Sequence, residues 1–315
     1  MSNSDWRDSN KSLSEKIKHI FQTFLYTDVV LVVCNGTEKK EFKVHELILR
    51  LASNVFDVAL NGPFKESSTK TIEIHQIDPE IFNLFLEFIY FDKVLLTSVE
   101  QSIELYNVAH RYMTLPLKEF CLDYIRTSLD TSTACLGIEF AEFFIIEDLK
   151  LDCLEIIQER TECVVSNQNF LNATKETVIT ILSQDSLNIR EIELFKAIEK
   201  WIRNMVSREG EQIKQDLCNT VVTKIRFLNM TPQEFTEGPV ISGLLKDNQW
   251  PPILAHLASD ECPLAFPEGF DRNYRCQFDH SNSNLSEYGR ITPYRCNYGP
   301  TYHHNKKHLR KREYP

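Results

Sequence analysis

Strand-type patterning in this 315-residue chain is confined to about the first eighty residues, and the remainder is patterned for helix almost without interruption. The segment "DVVLVVC" (28–34) reads as a buried strand, "GTEKKE" as a turn and "FKVH" as the hairpin partner. "KTIEIHQI" alternates as a third strand, with Ile72, Ile74 and Ile77 facing inward. The expected fold class is therefore α+β, a small sheet capped by helices, followed by an all-α domain.

The helices carry their own punctuation. "SLSEKIKHIFQTFL" sets Leu13, Ile17, Ile20, Phe21 and Phe24 on one face behind a serine N-cap candidate. "ELILRLASNVFDVAL" is expected as one helix ended by Asn61-Gly62. "DPEIFNLFLEFIYFD" is the next helix, with Asp78 as N-cap and Pro79 at the first helical position. "SVEQSIELYNVAHRYM" and "LPLKEFCLDYIRTSL" form a pair broken at Leu115-Pro116, and further helices run from "TACLGIEFAEFFI" to "EQIKQDLCNTVVTKI". Small polar residues near Ser128–Thr133 mark a boundary, giving domains over 12–130 and 131–247 behind a disordered 1–11. From about Asn248 the periodicity fades, so 248–315 is expected to be an irregular tail. Residues after about Pro267 are expected to be poorly ordered, and deletion of 268–315 to leave the melting temperature nearly unchanged.

Composition bounds the function classes. Hydrophobic residues make up 42% of the chain, ample for two cores, and no apolar run approaches the roughly 20 residues that span a bilayer. The N-terminal "MSNSDWRDSNKSLSEK" lacks an apolar signal core. Nine scattered cysteines without paired spacing suit a reducing compartment, most of them as small buried hydrophobes. A cytoplasmic location is expected, and the basic "KKHLRKR" leaves nuclear entry open. The formal charge is −10; the last ten residues contribute +4, leaving −14 on the rest. An acidic body repels phosphate backbones, so nucleic acid is not an expected partner, nor is a membrane.

Catalytic constellations are absent from the pattern. There is no phosphate-cradling glycine loop and no nucleophile elbow, and the carboxylates alternate with lysines on helix faces. Cys276, His280, Cys296, His304 and His308 include two spacings in the zinc range, but Cys296 stands alone. The set reads as fortuitous: no metal, no cofactor and no enzyme activity are expected. One oddity remains. In "ALNGPFKESSTKTIEI" an aromatic, Phe64, stands among breakers and charges where a solvated loop is expected.

The order and spacing of several blocks resemble the BTB/POZ family. These are Asp28-Val29 opening the first strand, Phe42-x-x-His45, Ala52-Ser53-x-x-Phe56, the "IEI" strand, "DPEIFNLFLEFIY" and "LYNVAHRYMTLPLKEFCLDYI". The helical region resembles the BACK domain, and "LFKAIEKWI" with "IRFLNMTPQEFTEGPVISGLL" is similar to BTB–BACK–PHR proteins as far as Leu245. "NYRCQFDHSNSNLSEYGRI" faintly resembles the opening of a PHR domain, in a remainder too short to close that sandwich.

The resemblance implies a non-catalytic adaptor of a cullin-3 ubiquitin ligase. It would dimerise with itself or a related BTB protein, and would present a substrate or occupy cullin unproductively. Phe64-Lys65-Glu66 matches the family's hydrophobic-x-Glu cullin motif, and Tyr112 is placed with it by the same resemblance. The implied dimer interface is the first helix (Leu13, Ile17, Ile20, Phe21, Phe24) together with Asp28 and His45. The alternative within the fold is a transcriptional co-regulator. It is disfavoured because Glu46, an acid, comes after His45 where that class has a base, and because the chain carries no zinc-finger array.

Overall fold

A computed structural model describes residues 12–63, 65–259 and 262–275, which pack as two compact units dividing at Ile156/Ile157. The first unit begins with α1 (Leu13–Thr23), then β1 (Val29–Asn35), β2 (Glu38–Val44), α2 (Glu46–Ala52), α3 (Asn54–Asn61), α4 (Lys65–Thr69) and β3 (Thr71–His75). It continues through α5 (Pro79–Phe91), α6 (Val99–Arg111), α7 (Leu115–Ser128), α8 (Ala134–Phe144) and most of α9 (Glu147–Glu159). The second contains α10 (Thr161–Ser166), α11 (Lys175–Leu182), α12 (Glu191–Glu209), α13 (Lys214–Thr220), α14 (Pro232–Phe235) and α15 (Trp250–Ala258).

The sheet has the order β2-β1-β3, with β1 antiparallel to β2 and parallel to β3. A central strand is covered on both faces, which is why Val29, Leu31, Val32 and Val33 are all buried instead of alternating. The parallel crossover through α2, α3 and α4 places α4 immediately before β3. Behind the sheet, Phe56 stacks on Tyr112 at 4.5 Å, with Phe82 and Phe85 closing around them.

Capping behaves as the sequence implies at two helices. Ser12 and Glu15 form a reciprocal capping box on α1, and Asp78 accepts the Glu80 and Ile81 N–H groups ahead of Pro79. Elsewhere local chemistry overrides helical periodicity. The single helix expected over 46–60 is two, because Ser53 is extended, accepts the Val55 and Phe56 N–H groups and donates to the Tyr112 carbonyl at 2.6 Å. The loop expected at 66–70 contains α4.

The packing division lies beyond the polar stretch at 128–133. α8 stays with the first unit because Phe140 and Phe144 pack on Tyr106 of α6, at 4.9 and 4.7 Å. Among the seven described cysteines only Cys121, Cys135 and Cys153 are buried, their thiols pushed up to about 12 by desolvation. Cys163 is exposed, so burial is not the general rule for these thiols.

The irregular stretch expected from 248 is interrupted by a helix, and the part that follows it packs on the second unit. Trp250–Ala258 is helical, and residues 262–275 lie across the second unit as a strap. Phe270 is buried near Phe227, with ring centroids 6.0 Å apart. Arg275 bonds Glu191 at 3.0 Å, both side chains 1% exposed, and also donates to the Leu182 and Gln184 carbonyls. Glu191 accepts the Arg226 N–H, and Arg226 reaches the Tyr274 carbonyl, Asp185 and Asp271. Asn229 and Arg275 exchange hydrogen bonds through the backbone of Arg275.

Breaking one member of such a buried pair costs about 3–5 kcal/mol, because the other charge is left desolvated. Arg275→Ala, or deletion of 268–315, should therefore lower the melting transition of the second unit by about 10 °C. Asp185→Asn, whose side chain is 93% exposed, should shift it far less. Differential scanning calorimetry separates these outcomes.

Candidate interaction surfaces

α1 is amphipathic, yet none of its residues is buried. Phe21 is half-buried, its ring 4.5 Å from Tyr90 and edge-on to Phe91 at 5.4 Å. Ile17 and Ile20 are half-buried, whereas Leu13 is 74% and Phe24 56% exposed. Phe24 and Tyr26 hold left-handed backbone conformations that turn the chain toward β1. Of the five residues assigned to this face from sequence, Phe21 thus packs on its own chain while the others keep apolar surface in water.

Asp28 and His45 have structural duties. The Asp28 carboxylate accepts the Glu46 N–H at 2.7 Å, capping α2 from outside because His45, its N-cap residue, makes no such bond. His45 is buried. One ring nitrogen lies 2.7 Å from the Tyr90 hydroxyl, the other 2.8 Å from the Leu25 carbonyl, and its backbone N–H donates to the same hydroxyl. Burial pushes the Tyr90 phenol up to about 12, so it stays protonated and able to donate at neutral pH. His45 therefore fastens the end of α1 to the start of α2.

Beyond that pin, α2 is apolar nearly all round. Leu49 is buried, but Leu47 and Leu51 are 67% and 76% exposed on the opposite side. Sequence reasoning missed them, although an "ELILRLA" helix with apolar residues on every face is itself the signal of a second contact.

Glu46, the acid after His45, is paired with two bases. Lys70 reaches it at 2.7 Å and Arg50 at 3.3 Å, and Arg50 also holds Asp57 at 2.6 Å. The hydrogen bond from Lys70 holds the Glu46 carboxyl below its usual range. The adjacent-residue pattern hid this partner because Lys70 arrives from the far side of α4. Its ammonium also faces the Leu60 carbonyl at 3.4 Å, and its N–H donates to the Glu66 carbonyl at 2.9 Å. Gly62 closes α3 through the Val58 carbonyl. The chain is thereby fixed on both sides of the Phe64-Lys65-Glu66 stretch. Phe64 itself lies outside the described residues; Lys65 and Glu66 open α4.

Tyr112 requires correction as a cullin-facing residue. Its ring is 5% exposed, stacked on Phe56, and burial pushes its phenol up to about 12. That turn presents to solvent Met113, in a left-handed conformation, and Leu115. Among the described residues no cluster of histidine, cysteine and carboxylate side chains is arranged to hold a metal ion, and no helix is long and apolar enough to cross a membrane. The Cys276 to His308 set lies outside them.

The family model described as the BTB/POZ domain matches residues 17–129, and that described as "BTB And C-terminal Kelch", the BACK domain, matches 135–238. The chain is a BTB–BACK protein. Its similar relatives include BTB/POZ domain-containing protein 6 of Xenopus tropicalis, 27% identical over 84% of this chain and 50% of that protein. The human protein of that name is 26% identical over 83% of this chain and 49% of its own. BTB/POZ domain-containing protein 3 of Mus musculus is 27% identical, with 83% and 50% covered.

This BTB–BACK chain thus spans about half the length of the curated relatives it matches. Among solved structures, the BTB domain of zebrafish PATZ1 aligns at 23% identity and a TM-score of 0.30, covering 36% of this chain and 89% of its own. BTB domains generally mediate dimerisation and protein–protein interaction, and BTB–BACK modules are typically non-catalytic.

Proposed function

We propose that this BTB–BACK chain is a dimeric adaptor that docks cullin-3 through its BTB unit and presents a protein for ubiquitylation. The observation that carries the dimer is the uncovered apolar surface on either side of His45, formed by α1 and by Leu47 and Leu51 of α2. Scattered exposed leucines need no explanation, but two apolar stripes fastened by one buried pin need a partner, and a second copy supplies it by two-fold symmetry. The cullin assignment rests on the resemblance of Phe64-Lys65-Glu66 to the family motif. It is supported by the flanking residues, which Lys70 ties to Glu46 and to the Leu60 carbonyl, since anchored ends leave a segment less entropy to lose on binding.

Two measurements test this. Because Leu13 and Leu51 are exposed in the protomer, Leu13→Asp with Leu51→Asp should leave the fold intact and yield monomer in light scattering. A well-folded dimer after both substitutions places the interface elsewhere. Phe21 is the poorer target, as its ring packs on Tyr90. For cullin-3, Phe64→Ala should weaken binding by roughly thirty-fold, the effect of losing a hot-spot aromatic, with thermal stability nearly unchanged. Glu66→Ala should weaken it less. Wild-type affinity in the Phe64→Ala chain, measured by titration calorimetry, contradicts the docking mode.

A further inference from the structure

A cavity of about 360 Å³ opens in the BTB unit where the end of β3 meets α5 and α6. Glu104, Asn107, Val108 and Arg111 line it from one stripe of α6, at the i, i+3, i+4, i+7 spacing of a single helical face. Its floor is apolar: Ile77, Ile81 and Val108 are buried. Its polar groups are unevenly committed. Arg111 donates to the His75 carbonyl at 2.8 Å and lies over the Tyr112 ring, which fixes one wall. One Asp78 oxygen caps α5. Glu104 has no hydrogen-bond or ion-pair partner among the described residues, and desolvation followed by the charge of Asp78 pushes its carboxyl up. Gln76, on the rim, holds a left-handed backbone at φ 62°, a conformation that non-glycine residues seldom keep.

The geometry points to a receptor site for a basic side chain of a partner polypeptide, its aliphatic stem on the Ile77–Ile81–Val108 floor and its cationic head between Asp78 and Glu104. An incoming cation compensates the mutual repulsion of the two carboxylates, and the Gln76 and Asn107 amides offer oxygens beside them. The volume lies at the small end of ligand sites, which suits one side chain better than a whole cofactor. An apolar floor beneath a pair of acids selects lysine or arginine over a neutral anchor. This site is separate from the α1–α2 stripes and from the Phe64 loop, so its failure leaves the adaptor reading untouched.

The test uses the full chain labelled at isoleucine δ1 methyls and titrated with acetyl-Gly-Arg-Gly-amide in methyl NMR. The Ile77 and Ile81 signals should shift saturably while that of Ile198, a core residue of the other unit, stays still. Glu104→Gln, exposed on α6 and isosteric, should bind about tenfold more weakly with an unchanged melting temperature. Asp78 is left alone because it caps α5. The proposal is overturned if no saturable shift occurs, if acetyl-Gly-Gln-Gly-amide binds equally well, or if Glu104→Gln has no effect. Agmatine binding as tightly as the peptide would also overturn it, by making a free amine the ligand.

Discussion

The hydrogen bonds of His45 hold together the surface on which the adaptor reading depends. They join three elements at one point: the end of α1 through Leu25, the start of α2, and α5 through Tyr90, beside the packing of Phe21 on Tyr90 and Phe91. The Tyr90 hydroxyl accepts the His45 backbone N–H, and because a carbonyl only accepts, the ring nitrogen facing Leu25 is the one that donates. Each bond contributes about 1 kcal/mol net, but losing a partner in this buried site costs about 1–3 kcal/mol. The pin is therefore worth most as a constraint, keeping two apolar stripes in register for a second chain. Asp28 and Lys70 repeat the theme, since each satisfies α2 from a distant part of the chain.

The second unit is built on a comparable long-range constraint. Trp201, Phe195, Phe227 and Phe235 give it a core, and the Trp201 indole donates to the Ala173 carbonyl at 2.9 Å. That core is closed by a segment without secondary structure, whose last described residue, Arg275, takes up the only carboxylate in the chain found buried among the described residues. Burying an ion pair brings little net stability but a large penalty for being incomplete. The strap thus carries the packing of this unit well past the region matched by the BACK family model, which ends at 238.

Much of this was legible in the sequence, and the failures have physical causes. The sheet, the caps at Ser12 and Asp78 and the BTB–BACK assignment come from local pattern, because strand alternation and capping chemistry act over a few residues. Ser53 broke an expected helix since its hydroxyl answers both the next turn and the Tyr112 carbonyl, a partner no window reveals. Tyr112 was placed with the cullin motif by resemblance alone, which says nothing of its stacking on Phe56 in this chain. The packing of the strap escaped because, apart from the isolated rings of Phe266 and Phe270, its contacts run through arginine and backbone carbonyls, which leave no hydrophobic period. Lys70 escaped for the same reason. Leu47 and Leu51 were readable but were absorbed into the core of α2.

In the proposed adaptor, two copies of this chain carry cullin-3 together. The most direct measurement is the mass of the complex between the full chain, 36.8 kDa, and the N-terminal domain of cullin-3, by sedimentation equilibrium across mixing ratios. Saturation is expected at two chains with two cullin domains, with an unliganded species of dimer mass. A chain that sediments as a monomer, or a dimer whose mass is unchanged by excess cullin-3, would contradict the adaptor reading.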